Sequence, residues 1–147
     1  MRLSDHLRRG CIIAELAATD KQAVLAELAA KAAEAGLDRQ AVENVLLDRE
    51  RLGSTAVGEG IAIPHGKLPG LPDMVLVFAR SSRGVAFGAP DNKPCRLFFM
   101  VLAPEGAAGQ HLGMLGAIAR LAKDSTFTTR LLQAKTMEEL ADFLSAV

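Results

Sequence analysis

The sequence predicts an α/β fold, a single domain with a mixed, mostly parallel β-sheet that is flanked by helices on both faces. Two nearly continuous apolar runs, residues 74–80 (MVLVFAR) and 96–103 (RLFFMVLA), are typical of strands that are covered on both sides. Residues with helical apolar spacing precede and follow these runs. A chain of 147 residues, half of them apolar, has the size of one compact domain. We therefore expect one domain over residues 1–147, with one functional site.

The first third of the chain contains two helical patterns. Thr19 and Gln22 have the spacing of a capping box, and the apolar residues that follow recur at helical intervals until Gly36. Asp38 is the expected N-cap of a second helix, which an apolar stripe extends to about Arg51. Two helices are thus predicted in this part of the chain, after a short start with an apolar patch at residues 11–13.

A glycine-rich loop, residues 53–60 (GSTAVGEG), follows the second helix. Residues 61–64 form a short apolar extended piece, and His65 stands at its far end. Because a loop rich in glycine here adjoins a histidine, we expect the chemistry at this point. A shorter strand is predicted over residues 84–87, between the two long ones.

Three helical patterns close the chain. From His111 the apolar residues follow helical spacing up to Lys123, so a third helix is predicted to begin at His111. Two shorter helices are predicted to start at Asp124 or Ser125 and at Thr136, where a glutamate three residues later completes a capping box.

Charge and hydropathy exclude several functions. The 17 Lys and Arg residues balance 17 Asp and Glu residues, and no run of five like charges provides the basic face that nucleic acid requires. The longest apolar runs are too short to cross a bilayer, and the first ten residues lack the apolar stretch of a signal peptide. We expect a cytoplasmic protein that neither binds nucleic acid nor inserts into a membrane.

The sequence predicts neither a metal nor a cofactor. Cys11 and Cys95 form no CxxC pair, and each is expected to be a small buried apolar residue. No HExxH motif occurs, and no set of ligands with suitable spacing accompanies the histidines. The glycine-rich loop lacks the Lys and Ser or Thr of a Walker A motif and the third glycine of a dinucleotide fingerprint.

Two of the three histidines, His65 and His111, fall at boundaries between elements, whereas His6 is expected at the surface. A neutral imidazole nitrogen attacks phosphorus near pH 7 and remains a good leaving group for a second transfer. Taken alone, His65 is equally a hydrogen-bonded histidine at the end of a strand, and His111 a polar residue at the start of a helix. The histidines by themselves leave the function open.

Further side chains near the loop suit phosphate. Ser54, Thr55 and the loop glycines offer hydroxyls and backbone N–H groups to phosphate oxygens. Arg49 precedes the loop by one helical turn, and its planar guanidinium suits a bidentate contact with a phosphoryl group. A solvated surface salt bridge is the alternative interpretation of Arg49.

Residues 50–66, ERLGSTAVGEGIAIPHG, resemble a known phosphorylation-site signature. The signature requires an acidic residue, here Glu50, then six residues, Val-Gly, two free positions and the hexapeptide IAIPHG, and the sequence matches it throughout. It characterises the fructose and mannitol type (type 2) of enzyme IIA in the bacterial phosphoenolpyruvate-dependent phosphotransferase system. The likeness extends over most of the chain, through VAF, DNKP, LFFMVLAPE and HLGMLGAIARLAKD.

This resemblance implies a role for each candidate residue. It implies that His65 is phosphorylated, that His111 is a second active-site histidine beside it, and that Arg49 helps to bind the phosphoryl group. Ser54 and Thr55 match the loop that lines the site. The fold that the resemblance implies is the α/β sandwich of the mannitol and fructose enzymes IIA.

The resemblance also implies the partners. A histidine phosphocarrier protein would donate its phosphoryl group in line to a ring nitrogen of His65, without metal or nucleotide, and a regulatory target protein or enzyme IIB would lie downstream. Free N–H groups at the start of the third helix would assist if that end faces His65. Which ring nitrogen reacts is open. Apolar candidates for the donor-docking surface are Ile61, Ile63, Leu68 and Leu71.

Within the family, the segment GSTAVGEGIAIPHGKL is most similar to the nitrogen-regulatory enzyme IIA. A phosphohistidine carrier with a nitrogen-related regulatory function is therefore the main hypothesis. The alternatives are a fructose- or mannitol-specific enzyme IIA that passes phosphate to a sugar transporter, and a regulatory binding module that transfers no phosphate. A metal-dependent hydrolase that uses both histidines is a fourth interpretation.

Overall fold

The computed structural model describes residues 2–147 and confirms the predicted α/β class. A six-stranded mixed sheet lies between two helical layers. The strands are β1 (Ile12–Ile13), β2 (Ala56–Gly58), β3 (Ile61–Ala62), β4 (His65–Lys67), β5 (Val75–Val85) and β6 (Cys95–Ala103). The helices are α1 (Lys21–Glu34), α2 (Arg39–Arg51), α3 (Ala108–Ala122), α4 (Ser125–Gln133) and α5 (Met137–Ser145). Two short 3₁₀ turns, Leu3–Asp5 and Arg9–Cys11, precede β1.

Two separate apolar cores explain why β5 and β6 lack polar residues over most of their length. Successive side chains of a strand point to opposite faces of the sheet. Phe98 accordingly packs edge-on against Phe87 in the core beneath α1 and α2, whereas Phe99 packs against Phe78 in the core beneath α3, α4 and α5. A strand buried on both faces must be apolar throughout, as the sequence predicted.

The sheet brings the phosphorylation-site signature to the side of β6. The strand order is β1-β5-β6-β3-β2, and β4 also pairs with β6. Three of the pairings are parallel and two, β2 with β3 and β5 with β6, are antiparallel. In β3, Ile61 pairs with Leu97, and further along β6 His65 of β4 pairs with Val101. His65 therefore begins a strand.

The helix starts are partly as predicted. Asp38, Asp124 and Thr136 cap α2, α4 and α5 with their side chains, as expected. The capping box at Thr19 is wrong, because Asp20 caps α1 and accepts a hydrogen bond of 2.9 Å from the Ala23 N–H. Thr and Asp are both good N-caps, so the sequence leaves the position uncertain by one residue.

The predicted start of the third helix at His111 is also wrong. Helix α3 begins at Ala108, and the His111 N–H donates to the Ala107 carbonyl at 2.9 Å. Periodicity missed the first turn because Ala108, Gly109 and Gln110 are exposed and provide no apolar signal. The His111 N–H is thus not one of the free N–H groups of the helix terminus.

Two expectations about strands are corrected. Residues 84–87 are no separate strand, because β5 continues to Val85. Its pairing with β6 shifts register between Arg80 and Val85, and Gly84 within this stretch has a φ of +84°, which suits glycine. The predicted loop at 53–60 contains the short strand β2. Cys11 and Cys95 are buried and free as expected. His6, expected at the surface, is half-buried, with Nδ1 3.7 Å from the Asp73 carboxylate.

No helix within residues 2–147 has both the length and the apolar character that crossing a bilayer requires.

Candidate active site

The His65 ring has a hydrogen-bond partner at each of its two nitrogens. Its Nδ1 lies 2.8 Å from the carbonyl oxygen of Ile63. A carbonyl only accepts hydrogen bonds, so Nδ1 carries the ring proton in the neutral form. Nε2 then carries a lone pair and no proton, and this lone pair accepts a hydrogen bond from the Arg49 Nε at 3.3 Å. The arrangement presents one defined nucleophilic nitrogen next to a fixed cation.

The last turn of α2 orients Arg49. Its Nη1 donates to the Gly53 carbonyl at 3.0 Å, four residues further along the chain. Gly53 has a φ of +145° and leaves the helix at this point. With Nε and Nη1 occupied, Nη2 has no hydrogen-bond partner among the residues that the structure describes. Arg49 therefore retains a free N–H edge for an anion beside His65.

His111 stands beside His65, as the resemblance implied. The two rings meet edge to face with their centroids 5.4 Å apart. His111 is only 8% exposed, and its buried Nε2 has no hydrogen-bond partner within residues 2–147. A buried polar atom that lacks a partner is uncommon in a folded protein. This nitrogen is therefore available for a group that enters the site.

Ser54 and Thr55 line the cavity next to His65, but both hydroxyls have protein partners. The Ser54 hydroxyl donates to the Phe87 carbonyl and accepts from the Ala56 N–H at 3.1 Å. The hydroxyl of Thr55 donates to the Glu50 carboxylate at 2.6 Å. These contacts shape the wall of the cavity.

Glu50 belongs to the site region although it was absent from the predicted set of site residues. Its side chain is only 5% exposed and accepts from both the N–H and the hydroxyl of Thr55. Its position as the acidic residue of the signature was the one signal in the sequence that pointed to it.

A cavity of about 350 Å³ is lined by Arg49, Ser54, Thr55 and His65. A larger cavity, about 700 Å³, lies between the N-terminal segment, the α1–α2 turn and residues 68–75. Cys11 lines the larger cavity, and burial raises the pKa of its thiol, which keeps it protonated and unreactive. The smaller cavity is lined by His65 and Arg49, so it is the candidate active site.

The sequence of residues 5–147 matches the family described as "Phosphoenolpyruvate-dependent sugar phosphotransferase system, EIIA 2". The chain belongs to this family. This confirms the resemblance found in the signature, and the geometry around His65 can be considered as that of an enzyme IIA domain.

Individual relatives of this enzyme IIA domain include regulatory and sugar-specific proteins. The nitrogen regulatory protein of Bradyrhizobium diazoefficiens is 43% identical over 146 residues, which cover 99% of this chain and 95% of that protein. The fructose-specific EIIABC component of Bacillus subtilis is 33% identical over 147 residues, covering 99% of this chain but 23% of that protein. Both types of relative therefore share this domain.

Solved structures agree with the fold of this enzyme IIA domain. The nitrogen regulatory protein IIA-Ntr of Neisseria meningitidis superposes with a TM-score of 0.89 at 32% identity, covering 97% of this chain and 98% of that one. The mannitol IIA of Escherichia coli gives a TM-score of 0.78 at 23% identity, over 93% and 97% of the two chains. The second likeness concerns the fold alone.

Burial keeps both imidazoles of this enzyme IIA domain neutral. It lowers the pKa of His65, the nearby Arg49 charge lowers it further, and the hydrogen bond to Ile63 opposes both. Burial likewise lowers the pKa of His111, and the proximity of His65 and Lys67 adds to the effect. Nε2 of His65 is thus a lone-pair donor rather than an N–H donor at pH 7.

Exposed apolar residues border the site, but they differ from those that the sequence indicated. Ile61, Ile63 and Leu68 are buried, because their side chains belong to the two cores, and Leu71 lines the larger cavity. Of the large apolar side chains that are exposed, Val57 (46%) lines the cavity, while Leu52 (84%) follows Arg49 by three residues and Leu112 (73%) directly follows His111.

Among residues 2–147, no three His, Cys, Asp or Glu side chains come together as a metal site.

Proposed function

We propose that this enzyme IIA domain is a phosphohistidine carrier, which accepts a phosphoryl group on Nε2 of His65 from a histidine phosphocarrier protein. The observation that carries the proposal is the pair of contacts on one ring. Ile63 holds the proton on Nδ1, and Arg49 lies against the lone pair of Nε2. An imidazole with a fixed tautomer and an adjacent cation suits reversible phosphoryl transfer.

The transfer is an in-line exchange between two imidazoles. Arg49 Nε first releases the lone pair on Nε2 of His65. That lone pair forms the new N–P bond while the N–P bond of the donor breaks, and the donor ring takes back the electron pair. Nδ1 keeps its proton and its hydrogen bond to Ile63 throughout. The step therefore needs no general base on this chain.

Two groups stabilise the phosphoryl oxygens in this proposal. The free Nη2 of Arg49 donates to one oxygen, and His111 donates from its unpartnered Nε2 to another. Ser54 and Thr55 form the phosphate-binding wall of the cavity. Both donors stand beside His65 before phosphate arrives, and the change needed at Arg49 is the release of its Nε from the His65 lone pair.

The donor protein would dock on the apolar border of the site. Leu52 follows the last turn of α2, and Leu112 follows His111 on α3. Both are largely exposed, and their helices belong to the layers on opposite sides of the sheet. Exposed apolar side chains around a polar centre are typical of protein-binding sites.

For the downstream role, we propose nitrogen-related regulation by one enzyme IIA domain over residues 1–147, acting in the cytoplasm on a regulatory target protein. The support is that the nitrogen regulatory relative is 43% identical over 146 residues, whereas the EIIABC relative is 33% identical over 147. A sugar-specific role, with transfer to enzyme IIB, is the second candidate. The fructose-specific EIIA component of Haloferax volcanii, 38% identical over 110 residues, favours it.

The test is the intact mass of the protein after incubation with phosphoenolpyruvate, enzyme I and the histidine phosphocarrier protein. The wild type should gain one acid-labile phosphoryl group and His65→Ala none. His6→Ala is the matched control, because His6 lies outside the site cavity, and it should gain the group. No gain by the wild type would refute the carrier function. Adding enzyme IIB then separates the two downstream roles, since only the sugar-specific role predicts transfer to it.

A further inference from the structure

A buried carboxylate, that of Glu50, is linked to His65 through two intervening residues. Glu50 is on the last turn of α2, and both its oxygens are engaged. Oε1 accepts from the Thr55 N–H at 2.8 Å and lies 3.0 Å from Lys21 Nζ, while Oε2 accepts from the Thr55 hydroxyl at 2.6 Å. A buried charge with this many partners is well compensated, and its partners are strongly fixed.

Thr55 is connected to His65 through two hydrogen bonds of Ile63. The Thr55 carbonyl accepts from the Ile63 N–H at 3.0 Å, and the Ile63 carbonyl accepts from Nδ1 of His65 at 2.8 Å. The Ile63 carbonyl thus selects the His65 tautomer, and the Ile63 N–H in turn donates to the carbonyl of Thr55. A continuous series of short hydrogen bonds links Glu50 to the imidazole.

We infer that Glu50 is a positioning residue for phosphoryl transfer, which acts through Thr55 and Ile63 to keep the proton of His65 on Nδ1 and Nε2 open to phosphorus. The inference rests on the proposed function and deepens it. Glu50 does not touch the reacting atoms. It fixes the acceptor that orients the ring, much as outer partners fix a metal-bound histidine.

The neighbouring residue on α2 strengthens this inference. Arg49 contacts Nε2 of His65 directly, whereas Glu50 controls the carbonyl at Nδ1 through the relay. The last turn of α2 therefore influences the hydrogen bonds at both ring nitrogens of His65. Lys21 at the start of α1, with Nζ 4.8 Å from the centre of the Phe87 ring, neutralises Glu50 without reaching His65. Without Glu50, the N–H and hydroxyl of Thr55 would lose their acceptor.

The experiment reads the tautomer directly, from the ring ¹⁵N chemical shifts of His65 in the unphosphorylated protein. Glu50→Ala should convert the Nδ1–H form into a mixture with the Nε2–H form. It should slow phosphorylation about ten- to hundredfold while leaving the KM for the donor unchanged, because the ring is misplaced but the docking surface is intact. Glu50→Gln keeps one acceptor oxygen and should lie between Glu50→Ala and the wild type.

Two further variants keep the test decisive. Thr55→Val removes only the hydroxyl, so it examines the relay even if Glu50→Ala does not fold, and it should shift the tautomer in the same direction. Asp48→Asn removes an exposed carboxylate from the same helix and should change neither tautomer nor rate. A folded Glu50→Ala and Thr55→Val with the wild-type tautomer and rate would overturn the inference. If the wild type accepts no phosphoryl group, the carrier proposal fails, whereas the ¹⁵N shifts still decide the role of Glu50.

Discussion

The imidazole rings of His65 and His111 meet edge to face at 76°, with their centroids 5.4 Å apart. A proton on either ring raises the electrostatic cost of a proton on the other, since the two charges would stand close together in a partly buried site. The pair therefore prefers to be neutral. That state leaves a lone pair on Nε2 of His65 and an N–H for a phosphoryl oxygen on His111.

We expect His111→Ala to slow phosphorylation of His65 about a hundredfold, because it removes one preorganised donor to the phosphoryl group. The KM for the donor protein should stay near the wild-type value, since His111 is buried and lies outside the docking surface. Single-turnover phosphorylation measures both quantities. Gln110→Ala, an exposed position in the same turn of α3, is the control. A His111→Ala rate equal to that of Gln110→Ala would contradict the assigned role.

Stability should depend on the histidine pair as well. The pKa values of His65 and His111 are lowered in the native state, chiefly by burial, so the unfolded chain binds more protons below its usual histidine pKa of about 6.5. The free energy of unfolding should thus be highest above that value and decrease as the pH falls through 6.5 towards the lowered native pKa values. Urea unfolding between about pH 5 and pH 8 measures this.

The double variant His65→Gln/His111→Gln provides the comparison for this pH dependence. It lacks both titrating rings, so its unfolding free energy should vary less over the same interval. An equally steep loss of stability in the variant would assign the dependence to other groups.

The sequence predicted those parts of the fold that local chemistry determines. Asp38 and Thr136 were recognisable as caps because an N-cap bonds to a residue only two or three positions away. The two long strands were recognisable because burial on both faces requires apolar residues throughout. By contrast, the Ala-Gly-Gln start of α3 has no apolar stripe, so that turn escaped prediction.

For the site, the family resemblance implied a set of candidate residues but not how they meet. The choice between Nδ1 and Nε2 depends on the Ile63 carbonyl, and a backbone contact of this kind leaves no trace in side-chain patterns. The prediction of the residues that form the docking surface was wrong for a similar reason. Ile63 and Leu52 are equally apolar in the sequence, and only the packing of the two cores distinguishes the buried one from the exposed one.

We expect the double variant Leu52→Ser/Leu112→Ser to weaken donor binding about tenfold, because it removes two exposed apolar contacts from the border of the site. The rate at saturating donor should change little, since neither side chain reaches the phosphoryl group. Steady-state phosphorylation at varied donor concentration separates the two effects. Met137→Ser is a matched control, as Met137 is 42% exposed but lies on α5, which carries none of the candidate site residues. An equal loss of affinity in the control would argue against a docking surface at this border.

The glycine after His65 allows α2 to approach β4. A Cβ on Gly66 would lie 2.2 Å from Cγ1 of Val45, far inside van der Waals contact. Val45 and Arg49 are four residues apart and so lie on the same face of α2. Gly66→Ala should therefore push away the helix turn that presents Arg49 to Nε2. We expect a loss of about 1–3 kcal/mol in unfolding free energy from overpacking, together with slower phosphorylation.

A second substitution should reverse this defect. In Gly66→Ala/Val45→Ala the clashing methyl is gone, and the remaining Cβ of residue 45 would stand 3.6 Å from the new methyl, an ordinary contact. The double variant should regain most of the phosphorylation rate that Gly66→Ala loses, because α2 can return to β4. Gly109→Ala, where a Cβ meets nothing within 4 Å, controls for the general effect of replacing glycine and should leave the rate unchanged. If the double variant stays as slow as Gly66→Ala, the effect of Gly66 does not operate through the position of Arg49.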